Sequence, residues 1–369
     1  MKAAWKIGRI AGVEIHLHAT FPLLFIWLAA AQYLQTGRWR DVAASLVFTV
    51  FLFAIVVLHE LGHALMARRF GIRTRDITLL PIGGVAQLER MPERPRQEML
   101  VALAGPAVNV ALAALFALVV LAVSGPAGLT AGANLVGGGF LARLAWVNVF
   151  LAAFNLLPAF PMDGGRVLRA LLAMRLDYVR ATNLAARIGQ VFAVGLGLVG
   201  LLANPFLVLI AVFVWIGAMQ EAEAAQLKST LAGLPVERVM VTEFHSLAPD
   251  DALQRAVDYV LASRQLDFPV LDSRRLVGML SRADLLAGLA RDGVGARVGE
   301  VMQREYATAQ STEKLEQVIS RLSGNGRVHA LAVMREGELA GLLTIENLGN
   351  YLLVQSALEH SHHDTRHAH

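Results

Sequence analysis

The chain has 369 residues, of which 56% are hydrophobic and only 17% charged, and it carries a net charge of +4. That balance excludes an ordinary soluble globule and points to a multi-span membrane protein. Without any cysteine, a disulfide framework is excluded and a metal site has to be built from His, Asp or Glu. Basic loops against an anionic inner leaflet account for the positive charge, so no nucleic-acid partner is expected.

Residues 1–35 begin like a signal peptide, with Lys2, Lys6 and Arg9 ahead of an apolar stretch, but Glu14, His16 and His18 intervene and further spans follow. The segment therefore reads as a retained first span. A hydrocarbon core of about 30 Å takes about 20 apolar residues per helix, and the apolar runs predict six spans, at 19–36, 43–67, 99–123, 135–157, 184–203 and 205–222. Arginines concentrate in 68–98 (Arg68, Arg69, Arg73, Arg75, Arg90, Arg94, Arg96) and in 158–183 (Arg166, Arg169, Arg175, Arg180), whereas the opposite connections hold Arg38 and Arg40. By the positive-inside rule both termini are cytoplasmic. Arg143, towards the outer end of the fourth span, has the length to snorkel.

The second span contains "FLFAIVVLHELGHALMARRF", residues 51–70. On a helix His59 and His63 stand one turn apart on one face and can reach a single metal ion, with Glu60 beside them to handle a proton. The alternative is that these groups sit at a helix end near the interface. Against it, burying all three in a span costs several kcal/mol, about 3 per charged group, unless they are paired or metal-bound. After the span, "GIRTRDITLLPIGGVAQLERMPERPR" alternates strand-forming residues around Gly83-Gly84 and predicts a short hairpin at the inner face. In the third span "AGPAVN" supplies Gly105, Pro106 and Asn109, small or polar residues of the kind that let helices approach closely.

A catalytic zinc usually takes three protein ligands. The fourth span returns to the side of HELGH and runs into "FNLLPAFPMDGGR", which makes Asp163 the candidate third ligand. Asp163 is equally well placed to cap the helix that follows, and the sequence leaves both roles open. Residues 163–177 have apolar positions at helical spacing between arginines and predict an interfacial amphipathic helix.

From residue 227 charged and apolar residues alternate as in a soluble domain, so residues 1–226 and 227–356 form two unlike modules. The second is an internal repeat, 227–293 and 294–356, each copy reading strand, helix, strand, strand, helix and closing on a Gly-x-x-Ser/Thr signal. It resembles a tandem pair of CBS domains, an α/β module. That resemblance implies adenine nucleotide, ATP or AMP, bound between the repeats through Gly-h-x-Ser/Thr-x-x-Asp. The first copy has Gly278, Ser281 and Asp284; the second has Gly341, Thr344 and, in place of the aspartate, Asn347. A module that only dimerises is the alternative, and a homodimer through the CBS pair is expected on either reading. The histidine-rich tail 357–369 reads as a disordered polar end.

HELGH in a span, "LLPIGGVAQ" after it, "AGPAVN" in the next and "NLLPAFPMDGG" closing the fourth together resemble the site-2 proteases, zinc intramembrane metalloproteases, in their CBS-bearing subgroup without a PDZ domain. The resemblance spans about residues 5–355. It implies an α-helical polytopic fold in a prokaryotic cell membrane, with one Zn2+ on His59, His63 and Asp163 and Glu60 as the general base on the attacking water. It also implies that Asn155 holds the substrate backbone or developing oxyanion, although a hydrogen bond between helices would explain that residue too. Gly83 and Gly84 match the segment that aligns the substrate as an added strand, a plain Gly-Gly turn being the alternative. The implied activity is regulated intramembrane proteolysis of a membrane-embedded protein. A CBS-regulated sensor or transporter without proteolytic activity is the competing class, and the complete set His59, Glu60, His63 and Asp163 favours the protease.

Overall fold

The computed structural model describes residues 4–366 except 82, 90, 91, 93, 135–138, 264 and 325–329. The chain divides into two compact units, Met1–Gln226 and Leu227–His369.

The first unit opens with a hairpin, β1 (Ala4–Ile10) and β2 (Val13–His18), whose turn residues Ala11 and Gly12 both have positive φ, 51° and 91°. Helices α1 (Phe21–Thr36) and α2 (Trp39–Arg69) follow, then β3 (Thr74–Leu80) and β4 (Gly83–Leu88). Helices α3 (Pro95–Ala131), α4 (Phe140–Asn155), α5 (Asp163–Ala173), α6 (Tyr178–Ala203) and α7 (Pro205–Leu231) complete the order. The hairpin expected after the second span is real, but it is half of a sheet ordered β1-β2-β3-β4, with β2 and β3 parallel. In β2 the alternation of Val13, Ile15 and Leu17 turns one face inward. Val13 and Ile15 join Ile77 and Leu79 of β3 in a core against Phe53, Val57, Leu61 and Ala64 of α2, which fixes the sheet beside the HELGH helix.

Among the described residues four helices, α2, α3, α6 and α7, are long and apolar enough to cross a bilayer. The helices at the expected first and fourth spans have 16 residues each, or about 24 Å of helix, and residues 135–138 of the expected fourth span lie outside the described residues. Helix α1 stops at Gly37, whose φ of 65° is left-handed. Helix α4 stops at Asn155, just ahead of Pro158, which cannot continue the ladder.

The amphipathic segment after it forms α5, which runs to Ala173. Its Arg169, only 1% exposed, donates from Nε to Glu98 of α3 at 2.8 Å and from Nη1 to Glu221 of α7 at 2.6 Å, and lies over the rings of Phe160 and Tyr178. A buried cation is tolerable only when paired and hydrogen-bonded in this way, and the pairing anchors α5 to two of the long helices.

In the second unit the first copy consists of α8 (Leu253–Ala262), β5 (Phe268–Asp272), β6 (Arg275–Leu280) and α9 (Arg282–Asp292). After the short α10 (Val298–Val301) the second copy has β7 (Thr308–Gln310), α11 (Leu315–Gly324), β8 (Ala330–Arg335), β9 (Glu338–Thr344) and α12 (Ile345–Arg366). The second copy matches the expected element order. In the first, the leading strand shrinks to a single parallel bridge, Leu247 with Val270, because Pro249 and the turn at Asp251 end the pairing. The two hairpins meet through Leu276 and Met279 against Ala330, Ala332 and Leu342. Where the sequence suggests a disordered tail from 357, α12 continues to Arg366, with no Gly or Pro after Gly349 to interrupt it.

A candidate metal centre between α2, α3 and α5

His59 and His63 lie one turn apart on α2, 7% and 8% exposed. Their Nε2 atoms are 3.1 Å from each other, and both face Oδ2 of Asp163, at 3.2 Å and 3.1 Å. The three side chains form a group able to hold a metal ion, with one ligand atom from each all within 4.8 Å of one another. The other imidazole nitrogens face oxygen acceptors. Nδ1 of His63 is 2.7 Å from the carbonyl of Val101, and Nδ1 of His59 is 2.5 Å from Oδ1 of Asn109. The donor set, two imidazoles and a carboxylate, is that of a zinc site with a place left for water.

Local structure explains why each residue is where it is. Asp163 is the first residue of α5, and the cap position is taken by Met162, which makes no side-chain cap bond. The carboxylate faces the two histidines instead of capping α5. Gly105 on α3 makes the room: a Cβ there would lie 2.2 Å from Nε2 of His63 and 2.7 Å from Nε2 of His59. Gly84 at the start of β4 also lies close to α2, where a Cβ would come 3.0 Å from Cγ of Glu60.

His59, Glu60, His63, Gly83, Gly84, Asn155 and Asp163 all line one cavity of about 550 Å³. Every protease-site candidate named from the sequence is thus brought together. Arg166 and Glu98 also face it. The Asn155 amide nitrogen donates to Leu151 of its own helix at 3.0 Å, and not to another helix. The edge strand β4 opens the sheet onto this cavity through Gly83 and Gly84.

The second unit arranges its two signatures differently. Ser281 and Asp284 form a capping box at the start of α9, and Asp284 Oδ2 also accepts from Gln303 at 2.8 Å. A cavity of about 740 Å³ has Thr344 and Asn347 in its wall with Phe244, His245, Asp267 and Arg282, while Ser281 and Asp284 are not part of it. This cavity lies between the two copies and takes its motif residues, Thr344 and Asn347, from the copy with asparagine.

Residues 47–196 match the model of peptidase family M50, and residues 236–291 and 298–353 each match the CBS domain. A zinc metalloprotease of Methanocaldococcus jannaschii is 30% identical over 345 residues, 93% of this chain and 94% of its own length. The chain belongs to peptidase family M50, the site-2 proteases. Rip3 of Mycobacterium tuberculosis is 32% identical over 368 residues, 93% of this protease and 91% of its own length. The solved site-2 protease from Methanocaldococcus jannaschii is 34% identical, matching 59% of this chain and 95% of that one with a TM-score of 0.43. The protein is therefore a zinc metalloprotease carrying a CBS pair, and the non-proteolytic alternative falls away. Sequence reasoning passed over Asn148, and it read Gly105 and Asn109 as helix-packing residues. Their proximity to the histidines comes from how α3 and α4 are rotated against α2, which no spacing in the chain records.

Proposed function

We propose that this protease hydrolyses a peptide bond in or beside a transmembrane segment of a membrane-protein substrate, with one zinc held by His59, His63 and Asp163. The observation that carries the reading is the convergence of those three groups with Glu60 and the β4 edge on one cavity beside bilayer-length helices. Zinc held there would supply Lewis acidity, lowering the pKa of a bound water and polarising the scissile carbonyl. Glu60 takes the proton from the attacking water and delivers it to the departing amide nitrogen. Asn155 presents its side-chain oxygen to the substrate backbone, its nitrogen being used within α4. An unwound substrate adds to β4 at Gly83-Gly84 as an extra strand, since a helix presents no free backbone to a protease.

The chain spans a prokaryotic cell membrane with both termini cytoplasmic, as the arginine distribution supports, and dimerises through the CBS pair. ATP or AMP binds that pair and modulates cleavage, with the cavity at Thr344 and Asn347 offering the space.

The test is cleavage of a single-span reporter in liposomes by wild type and Glu60→Gln, with zinc measured on both. Cleavage by wild type alone, with zinc on both chains, is expected. Equal cleavage by the two would remove Glu60 from the mechanism, and a wild type without zinc would remove the metal assignment.

A further inference from the structure

A buried line of side chains leads away from His59 that the proposed hydrolysis does not use directly. Asn148 on α4 donates from Nδ2 to the carbonyl of Leu144 at 2.9 Å. Asn109 on α3 donates from Nδ2 to Oδ1 of Asn148 at 2.9 Å, and Oδ1 of Asn109 meets Nδ1 of His59 at 2.5 Å. Both asparagines are fully buried.

The direction of this line follows from its far end. A backbone carbonyl can only accept, so Asn148 must turn its nitrogen to Leu144 and its oxygen to Asn109. Asn109 then has to offer its nitrogen to Asn148, which leaves its oxygen for His59. An amide oxygen also only accepts, so Nδ1 of His59 must carry the proton. The lone pair is left on Nε2, the atom facing His63 and Asp163. Val101 sets His63 the same way in one step. Buried between helices, a reversed amide at either asparagine would set two acceptors or two donors face to face, at a cost of about 1–3 kcal/mol.

We propose that Asn109 and Asn148 form a polar relay that fixes the tautomer and ring orientation of His59, making both of them positioning residues for the metal centre. The inference rests on the assignment of zinc to His59, His63 and Asp163. Partners of this kind behind a ligating histidine typically contribute 10–100-fold to metal affinity.

The test is the zinc dissociation constant by chelator competition on the full-length chain in detergent, for wild type, Asn109→Leu, Asn148→Leu and the double variant. Thermal unfolding of the zinc-free forms is measured in parallel. Asn109→Leu, which keeps the number and branching of side-chain heavy atoms and removes the acceptor, is expected to weaken zinc about 10–100-fold. Asn148→Leu is expected to weaken it less, because Asn109 keeps an oxygen but loses what holds it in place. Residues in series give a double variant no weaker than Asn109→Leu alone. Losses that multiply would mean independent packing roles and overturn the relay, as would a zinc affinity that falls only in step with the stability of the zinc-free chain. If Asn109→Leu does not fold, Asn148→Leu decides, and an unchanged dissociation constant there overturns the relay. A wild type that binds one zinc, with His63→Ala binding none, keeps failure of the relay distinct from failure of the metal assignment.

Discussion

The sharpest consequence of the geometry falls on a residue without a side chain. An alanine at 105 would place its Cβ 2.2 Å from Nε2 of His63 and 2.7 Å from Nε2 of His59, whereas ordinary contact begins near 3.4 Å. His63 would have to withdraw by about 1.2 Å and His59 by about 0.7 Å from the same methyl group. Zinc–nitrogen bonds of about 2.0–2.1 Å leave no slack for such movement, and a 1 Å misplacement at a reacting centre costs about 10²-fold. Gly105→Ala is therefore expected to lose about 10²-fold or more in both zinc affinity and reporter cleavage. The helices themselves remain, because the methyl meets side-chain atoms that can turn. Zinc retained after dialysis against a graded chelator, read beside helical circular dichroism, measures the effect. Gly197→Ala is the control, since its Cβ would meet only Ala211 at an ordinary 3.5 Å. A Gly105→Ala chain that holds zinc and cleaves within threefold of wild type would refute the reasoning, because the imidazoles could not then stand against α3 as described.

Glu60→Gln is expected to keep its zinc and lose about 10²–10⁴-fold in cleavage rate, the usual contribution of a general base, in a single-turnover reporter assay. Removal of zinc by a chelator should abolish cleavage and its return should restore it, with helical content unchanged throughout, since α2 is held by the sheet core as well as by the metal site. Arg169→Met leaves Glu98 buried without its cation and should destabilise the membrane unit by about 3–5 kcal/mol, seen as a lowered unfolding temperature in detergent. Asp284→Ala should cost the CBS pair about 1 kcal/mol through loss of the capping box while leaving nucleotide binding in place. Thr344→Ala should weaken AMP binding by calorimetry. The reverse pattern would move the nucleotide site to the first copy.

How much of this was legible along the chain depends on the distance over which each interaction acts. His59, Glu60 and His63 share one helix, and the 3.6-residue repeat alone aligns them, so HELGH announces its chemistry without a structure. The tandem repeat and the break near residue 226 are likewise written in local patterning. The sheet was half legible, because a hairpin declares itself through its own turn, whereas the pairing of β2 with β3 joins strands separated by two helices. Helix α1 ends where its apolar run was expected to end and starts two residues later, whereas α4 ends two residues before its apolar run does, because Pro158 cannot continue the ladder.

Asp163 stands 104 residues from His59, and its sequence context suits a helix cap as well as a ligand. Only the packing of α5 against α3, held by Arg169, points its carboxylate at the histidines of α2. Neither Asn109, though it closes "AGPAVN", nor Asn148 carries a local signal of its partner, since an asparagine in an apolar helix is ambiguous until the neighbour it faces is known. The open CBS cavity at Thr344 was hidden for the same reason: motif letters state what a residue can bind, and Asp284 is already engaged by Ser281 and Gln303. The residue types, their helical phase and the family chemistry were thus determined by the sequence itself. Which groups meet was decided by helix rotation and close approach, because hydrogen bonds and steric exclusion act over about 3 Å between segments that the chain keeps far apart.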